Sequence, residues 1–76
     1  MSVVINGERL RTEIALRGLD HADFAELAGI SPSTLSHACG GRRISGATLK
    51  QLATALDEIP RMQAAAELAS VATPID

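Results

Sequence analysis

Apolar side chains recur along this chain at intervals of three and four, and the intervals break at glycine and proline. Ser2 to Ile5 reads as a short extended lead-in. Asn6-Gly7 then opens a first helix to about Arg17, with Leu10, Ile14 and Arg17 on one face and Gly18 as its stop. Asp20 is a preferred N-cap with Asp23 three residues on, a weak capping box, and Phe24, Leu27 and Ala28 supply the inward face of a short second helix that ends at Gly29. Ser31-Pro32 restarts a helix at once, because serine caps well and proline suits the first helical position, where an N–H has no intrahelical partner. That third helix runs to about Cys39, and Gly40-Gly41 closes it. Ser45 caps a fourth helix, in which Leu49, Leu52, Ala53 and Leu56 keep helical spacing until Pro60 interrupts it. Beyond Pro60, Met62, Ala65, Ala66 and Ala69 share a stripe that suggests a fifth helix over 61–70, followed by an irregular tail at 71–76.

Composition agrees with this pattern. The chain has 76 residues, of which 46% are hydrophobic, and Phe24 is its one aromatic. Leucine, isoleucine and alanine packing between helices fits that composition better than a sheet rich in aromatic and β-branched residues. The expected fold class is all-α: one domain over 1–76, a compact bundle of four to five short helices. A chain this short buries only roughly 60% of the surface it exposes when unfolded, so its stability is modest and dimerisation would help it.

The lone cysteine, Cys39, has no partner for an internal disulfide and no set of ligands for a metal site; it reads as a small buried apolar residue. Nothing at the N-terminus has the order of a secretion signal, which makes the cytoplasm the expected location. No apolar run approaches the roughly 20 residues that span a bilayer, so no membrane role is expected.

Charge changes the picture more than its total suggests. The formal net charge is -2, yet residues 27–56 carry Arg42, Arg43 and Lys50 and no acid, whereas the segments on either side are net acidic. A local basic face can meet phosphates while the opposite face stays acidic.

The second and third helices are joined across Ala28-Gly29-Ile30-Ser31, which leaves room only for a tight turn, so they must cross steeply. A helix held out in this way can enter the major groove of B-DNA, while the helix before it spans the backbone.

Residues 21–41, HADFAELAGISPSTLSHACGG, resemble the helix-turn-helix of the lambda-repressor/Cro-like family, also called the XRE type. The resemblance lies in the small Ala25, Gly29 at the turn, the apolar Ile30 after it, the aliphatic Leu35, and then Gly41, Arg42 and Arg43. The following SGATLKQLATALDEI resembles that family's next helix, so the resemblance covers about 7–59, the expected domain core. It implies that Leu35 and Ala38 face inward while Ser31, Ser33, Ser36 and His37 face the groove. It further implies that His21 meets phosphate and that Arg42 and Arg43 are the basic residues just past the recognition helix. Pro32 stands where members often carry a long polar reader, and the helix has no Arg, Asn or Gln. Readout then rests on short hydroxyls, one imidazole and DNA shape.

Several residues keep a plainer reading beside this one. Ser33, Thr34 and Ser36 are either helix-surface polars or hydroxyls short enough to let the helix approach bases, with Ser33 the strongest of the three for contact. His37 is either an idle surface histidine or a hydrogen-bonding partner of a purine edge or phosphate. Lys50 is equally a solvated lysine or a phosphate contact. Arg42 and Arg43 are better explained by phosphate or minor-groove contact than as an idle loop pair.

Catalysis is not expected. The two histidines stand sixteen positions apart, no His-x-x-x-His or Glu-x-x-His spacing sets ligands on one helical face, and no glycine-rich loop follows a strand. No cofactor, metal or small-molecule ligand is called for. The expected function is sequence-specific regulation on double-stranded DNA, as a repressor of the phage or prophage Cro or immunity-repressor sort. The expected partner is an operator, and a homodimer would read a pseudo-palindromic one. The competing readings are an antitoxin-like protein-interaction module and an architectural or recombination-directing DNA binder. For dimerisation, the C-terminal alanine stripe is favoured over Val3-Val4-Ile5 as an added edge strand, although either can pack on its own domain.

Overall fold

The structure is a computed structural model that describes residues 1–64, 67 and 68. In chain order the elements are β1 (Ser2–Val3), α1 (Gly7–Leu16), α2 (His21–Ala28), α3 (Pro32–Cys39), β2 (Ile44–Ser45) and α4 (Gly46–Glu58). The all-α class holds, with one addition. The lead-in pairs antiparallel with the segment after α3, Ser2 opposite Ser45 and Val3 opposite Ile44, and the Gly46 N–H donates to the Met1 carbonyl at 2.9 Å. The extended N-terminus is thus committed to its own domain through Val3.

Each helix starts where a side chain takes up orphan backbone donors. Asn6, Asp20, Ser31 and Ser45 are the N-caps, accepting from the N–H groups of Arg9, Asp23, Thr34 and Thr48. The turn after α2 is closed by two backbone bonds, Gly29 N–H to the Glu26 carbonyl and Ile30 N–H to the Ala25 carbonyl, the Schellman arrangement. It needs a left-handed residue, and Gly29 takes φ +75°.

The core is assembled from one face of each helix: Leu10 and Ile14, Phe24, Ala25 and Ala28, Leu35, Ala38 and Cys39, then Leu52 and Ala55, with Ile44 from β2. Phe24, Ile14, Leu35 and Leu52 are its largest fully buried side chains. Burying a side chain of this size stabilises the fold by about 1.5–3 kcal/mol.

Two expectations about the core are corrected. Leu27 is 60% exposed, because α2 packs through Phe24, Ala25 and Ala28 and the intervening position looks out beside α4. The apolar stripe of α4 also divides. Leu52 is buried and Leu56 half-buried, whereas Leu49 and Ala53 are exposed along a groove floored by Leu10 and Leu52.

Glu13 is the buried acid of the described residues, at 8% exposure. Its carboxylate takes hydrogen bonds from Arg9 at 3.0 Å, Arg17 at 2.8 Å, and Arg61 at 2.6 and 2.9 Å. Hydrogen bonds from Arg61 and Arg17, working against burial, hold that carboxyl down to about 2. Arg17 also donates to the carbonyls of Leu56 and Ile59 at the end of α4, so one guanidinium closes α4 and anchors it to α1. The Met62 N–H donates to the Leu16 carbonyl at 2.8 Å, which keeps the chain on α1 past Pro60. Gln63, Ala64, Glu67 and Leu68 are helical; the remainder of the expected fifth helix, with Ala65, Ala66 and Ala69, and the 71–76 tail lie outside the described residues.

Candidate nucleic-acid interface

The inward face of α3 is fixed by its sequence: Leu35, Ala38 and Cys39 are buried. That leaves Ser33, Ser36 and His37 exposed together on the outward side, with Ser31 and Pro32 exposed at the N-terminal end. The hydroxyls are not equivalent. Ser31 Oγ accepts the Thr34 N–H at 3.1 Å and hydrogen-bonds Thr34 Oγ1 at 2.9 Å, so both are engaged in capping, and Thr34 is half-buried. Ser33 and Ser36 have no hydrogen-bonded side-chain partner among the described residues, nor does His37. These are the side chains of α3 free to meet a ligand.

The C-terminal end of α3 is held at several points. Gly41 N–H donates to the Ala38 carbonyl and Arg42 N–H to the His37 carbonyl, a second Schellman closure. Two residues on, Ile44 is buried and paired in the sheet. Arg42 and Arg43 therefore project from a loop anchored on both sides, exposed, and without an ion-pair partner among the described residues. The first turn of α3 carries no acid, so its positive dipole end is not offset there.

Three contacts that the sequence does not announce hold α3 and the turn before it. Arg11 Nη2 donates to the Cys39 carbonyl at 2.9 Å, and Gly7 lies so close that an added Cβ would overlap the same carbonyl oxygen. Gly7 and Arg11 are one helical turn apart on α1, so they meet α3 with the same face. Gln51 Nε2 donates to the Gly29 carbonyl at 3.3 Å and ties the turn to α4. Local pattern carries no signal for these contacts, since Gly7, Arg11 and Gln51 meet partners more than twenty positions away in the chain. Burial pushes the Cys39 thiol up, with the Arg11 charge opposing, as suits a packed thiol rather than a reactive one.

The remaining residues fall elsewhere. His21 is exposed at the start of α2, in a turn it shares with Asp20 and Asp23. Lys50 sits on α4 and lines a groove with Leu27, Thr54 and Glu58, none of them on α3.

A short helix, a left-handed glycine turn and an exposed, capped second helix define a helix-turn-helix protein, a class that binds double-stranded DNA. A family described as a helix-turn-helix domain matches residues 7–66, and the chain belongs to it. No curated protein and no solved structure matches the chain. No helix among the described residues is long and apolar enough to cross a membrane.

Proposed function

We propose that the protein is a sequence-specific transcriptional regulator that lays α3 in the major groove and represses by occluding polymerase, in the manner of the phage repressors and Cro proteins it resembles. The observation that carries this reading is the set of exposed polar side chains on α3, Ser33, Ser36 and His37, followed by the exposed Arg42 and Arg43 on their anchored loop, all five without a side-chain partner among the described residues. The serines and the imidazole read base edges at close range, and the two arginines neutralise phosphates. Ser31 and Thr34 fix the helix start and act through backbone geometry. Pro32 brings a short apolar contact at the first turn. His21 is a flanking phosphate contact weakened by the two carboxylates in its own turn. As a homodimer the protein meets a pseudo-palindromic operator with half-sites about 34 Å apart.

Selection from a random duplex library, followed by a salt titration on the enriched sequences, tests the reading. It predicts an enriched motif and steep salt dependence. Salt-dependent retention with no motif would favour an architectural binder, and no retention at low salt would favour a protein-interaction module.

A further inference from the structure

Leu27 is 60% exposed in the middle of the domain's sequence, beside Ala28 and Ala55, which form an apolar floor between α2 and α4. Lys50, Thr54 and Glu58 line the same groove. They stand at i, i+4 and i+8 on α4 and form one row along the helix, with Lys50 and Glu58 about 12 Å apart along its axis. Neither charge has an ion-pair partner among the described residues. The row therefore reads positive, neutral, negative, over an apolar patch.

We propose that this α2/α4 face is the surface through which two copies of the chain associate. A two-fold interface repeats every contact in reverse, so residue i of one copy meets residue j of the other and j meets i. Two α4 helices laid antiparallel, with the two-fold axis over Thr54, bring Lys50 of each copy against Glu58 of the other. The same operation brings Leu27 of both copies over the apolar floor and covers it. A parallel arrangement would set like charges against each other and is disfavoured. The face contains no α3 residue, so association leaves Ser33, Ser36, His37 and the two arginines open. Lys50 is accordingly assigned to self-association rather than to phosphate.

The inference rests on the dimeric part of the proposed function and is tested on the protein alone, without DNA. Sedimentation velocity from micromolar to millimolar protein is compared for the natural chain, Leu27→Asp, Lys50→Glu, Glu58→Lys and the double swap Lys50→Glu/Glu58→Lys. These side chains are exposed, so circular dichroism should report an unchanged fold in every variant. A concentration-dependent dimer is expected for the natural chain, and Leu27→Asp should weaken it by removing the apolar cover. Each single charge reversal creates two repulsive pairs by symmetry and should weaken it by about tenfold or more, while the double swap restores it.

One further outcome belongs to this geometry alone. The Lys50→Glu and Glu58→Lys proteins, each impaired by itself, should associate when mixed, because both pairs then regain opposite charge. A natural chain that stays monomeric at millimolar concentration, or a dimer indifferent to these changes, overturns the proposal. In either case the duplex selection still decides the DNA reading independently: a monomer that enriches a single half-site retains it.

Discussion

Arg11 donates from Nη2 to the carbonyl oxygen of Cys39 at 2.9 Å, so the first helix holds the last turn of the third. The bond satisfies one of the carbonyls that every helix leaves open at its C-terminus. It also ties α3 to α1 at the end that leads into the arginine loop. Replacing Arg11 by Met keeps the apolar stem and removes the donor. The expected result is a stability loss of about 1 kcal/mol together with reduced preference for the selected duplex over a scrambled one, at an unchanged salt slope. Equal weakening on both duplexes with a shallower slope would make Arg11 a phosphate contact instead.

Glu13 gives the protein a defined acid sensitivity. Its carboxyl is lowered from 4.5 to about 2 by Arg61 and Arg17. A group whose pKa is depressed by folding stabilises the native state fully above its unfolded value and loses that contribution as pH falls through its folded value. Urea midpoints should therefore fall between about pH 4.5 and pH 2. Glu13→Gln should be less stable by about 2 kcal/mol at neutral pH, below the usual cost of breaking a buried ion pair because Arg17 keeps its carbonyl acceptors. The gap should narrow toward pH 2, and a gap constant with pH would contradict the assignment.

The elements and most of the candidate site are legible in the sequence because they depend on local chemistry. Four cap residues, a proline at a first helical position and a glycine in a left-handed turn each act within a few residues of themselves, and the helix bounds follow from them. The inward positions of α3 leave Ser33, Ser36 and His37 outward by geometry alone. What is not legible depends on residues far apart in the chain. Glu13 meets Arg61 across 48 positions, Arg11 meets Cys39 across 28, and the pairing of Val3 with Ile44 joins two segments too short to announce themselves as strands. Leu27 shows the limit from the other side: helical spacing marks it as inward, but α2 is only eight residues long and its buried face is set by where α3 and α4 lie.

Two glycines separate local from distant constraint. Gly29 needs its left-handed φ of +75°, but a Cβ there would meet only Gln51 Nε2, at 3.6 Å. Gly29→Ala should cost about 1–2 kcal/mol through backbone strain. Gly7 has an ordinary helical backbone, yet Gly7→Ala drives a methyl group into the Cys39 carbonyl, and both helices must shift. Its cost should reach about 2–3 kcal/mol, as overpacking does. Denaturant midpoints that rank the two variants the other way would contradict the close approach of α1 and α3.

Arg42 and Arg43 differ from the side chains of α3 in what their removal should do. Arg42→Ala and Arg43→Ala should weaken binding to every duplex and flatten the log-log salt slope by about 0.9 for each phosphate left without its arginine. Ser33→Ala and His37→Ala should leave the slope alone and cost about 1–3 kcal/mol of discrimination where each reads a base. Competition titrations at several salt concentrations separate the two behaviours.

Whether α3 and the arginine loop are the face that meets DNA is decided by a nitrogen-15 NMR titration of the protein with a selected duplex, following every backbone amide. The largest shift changes are expected at Ser31 to His37 and at Arg42 and Arg43, with smaller ones at His21 and little change along the outer face of α1. Changes concentrated instead on the groove between α1 and α4, with α3 undisturbed, would overturn the assignment of α3 as the recognition helix.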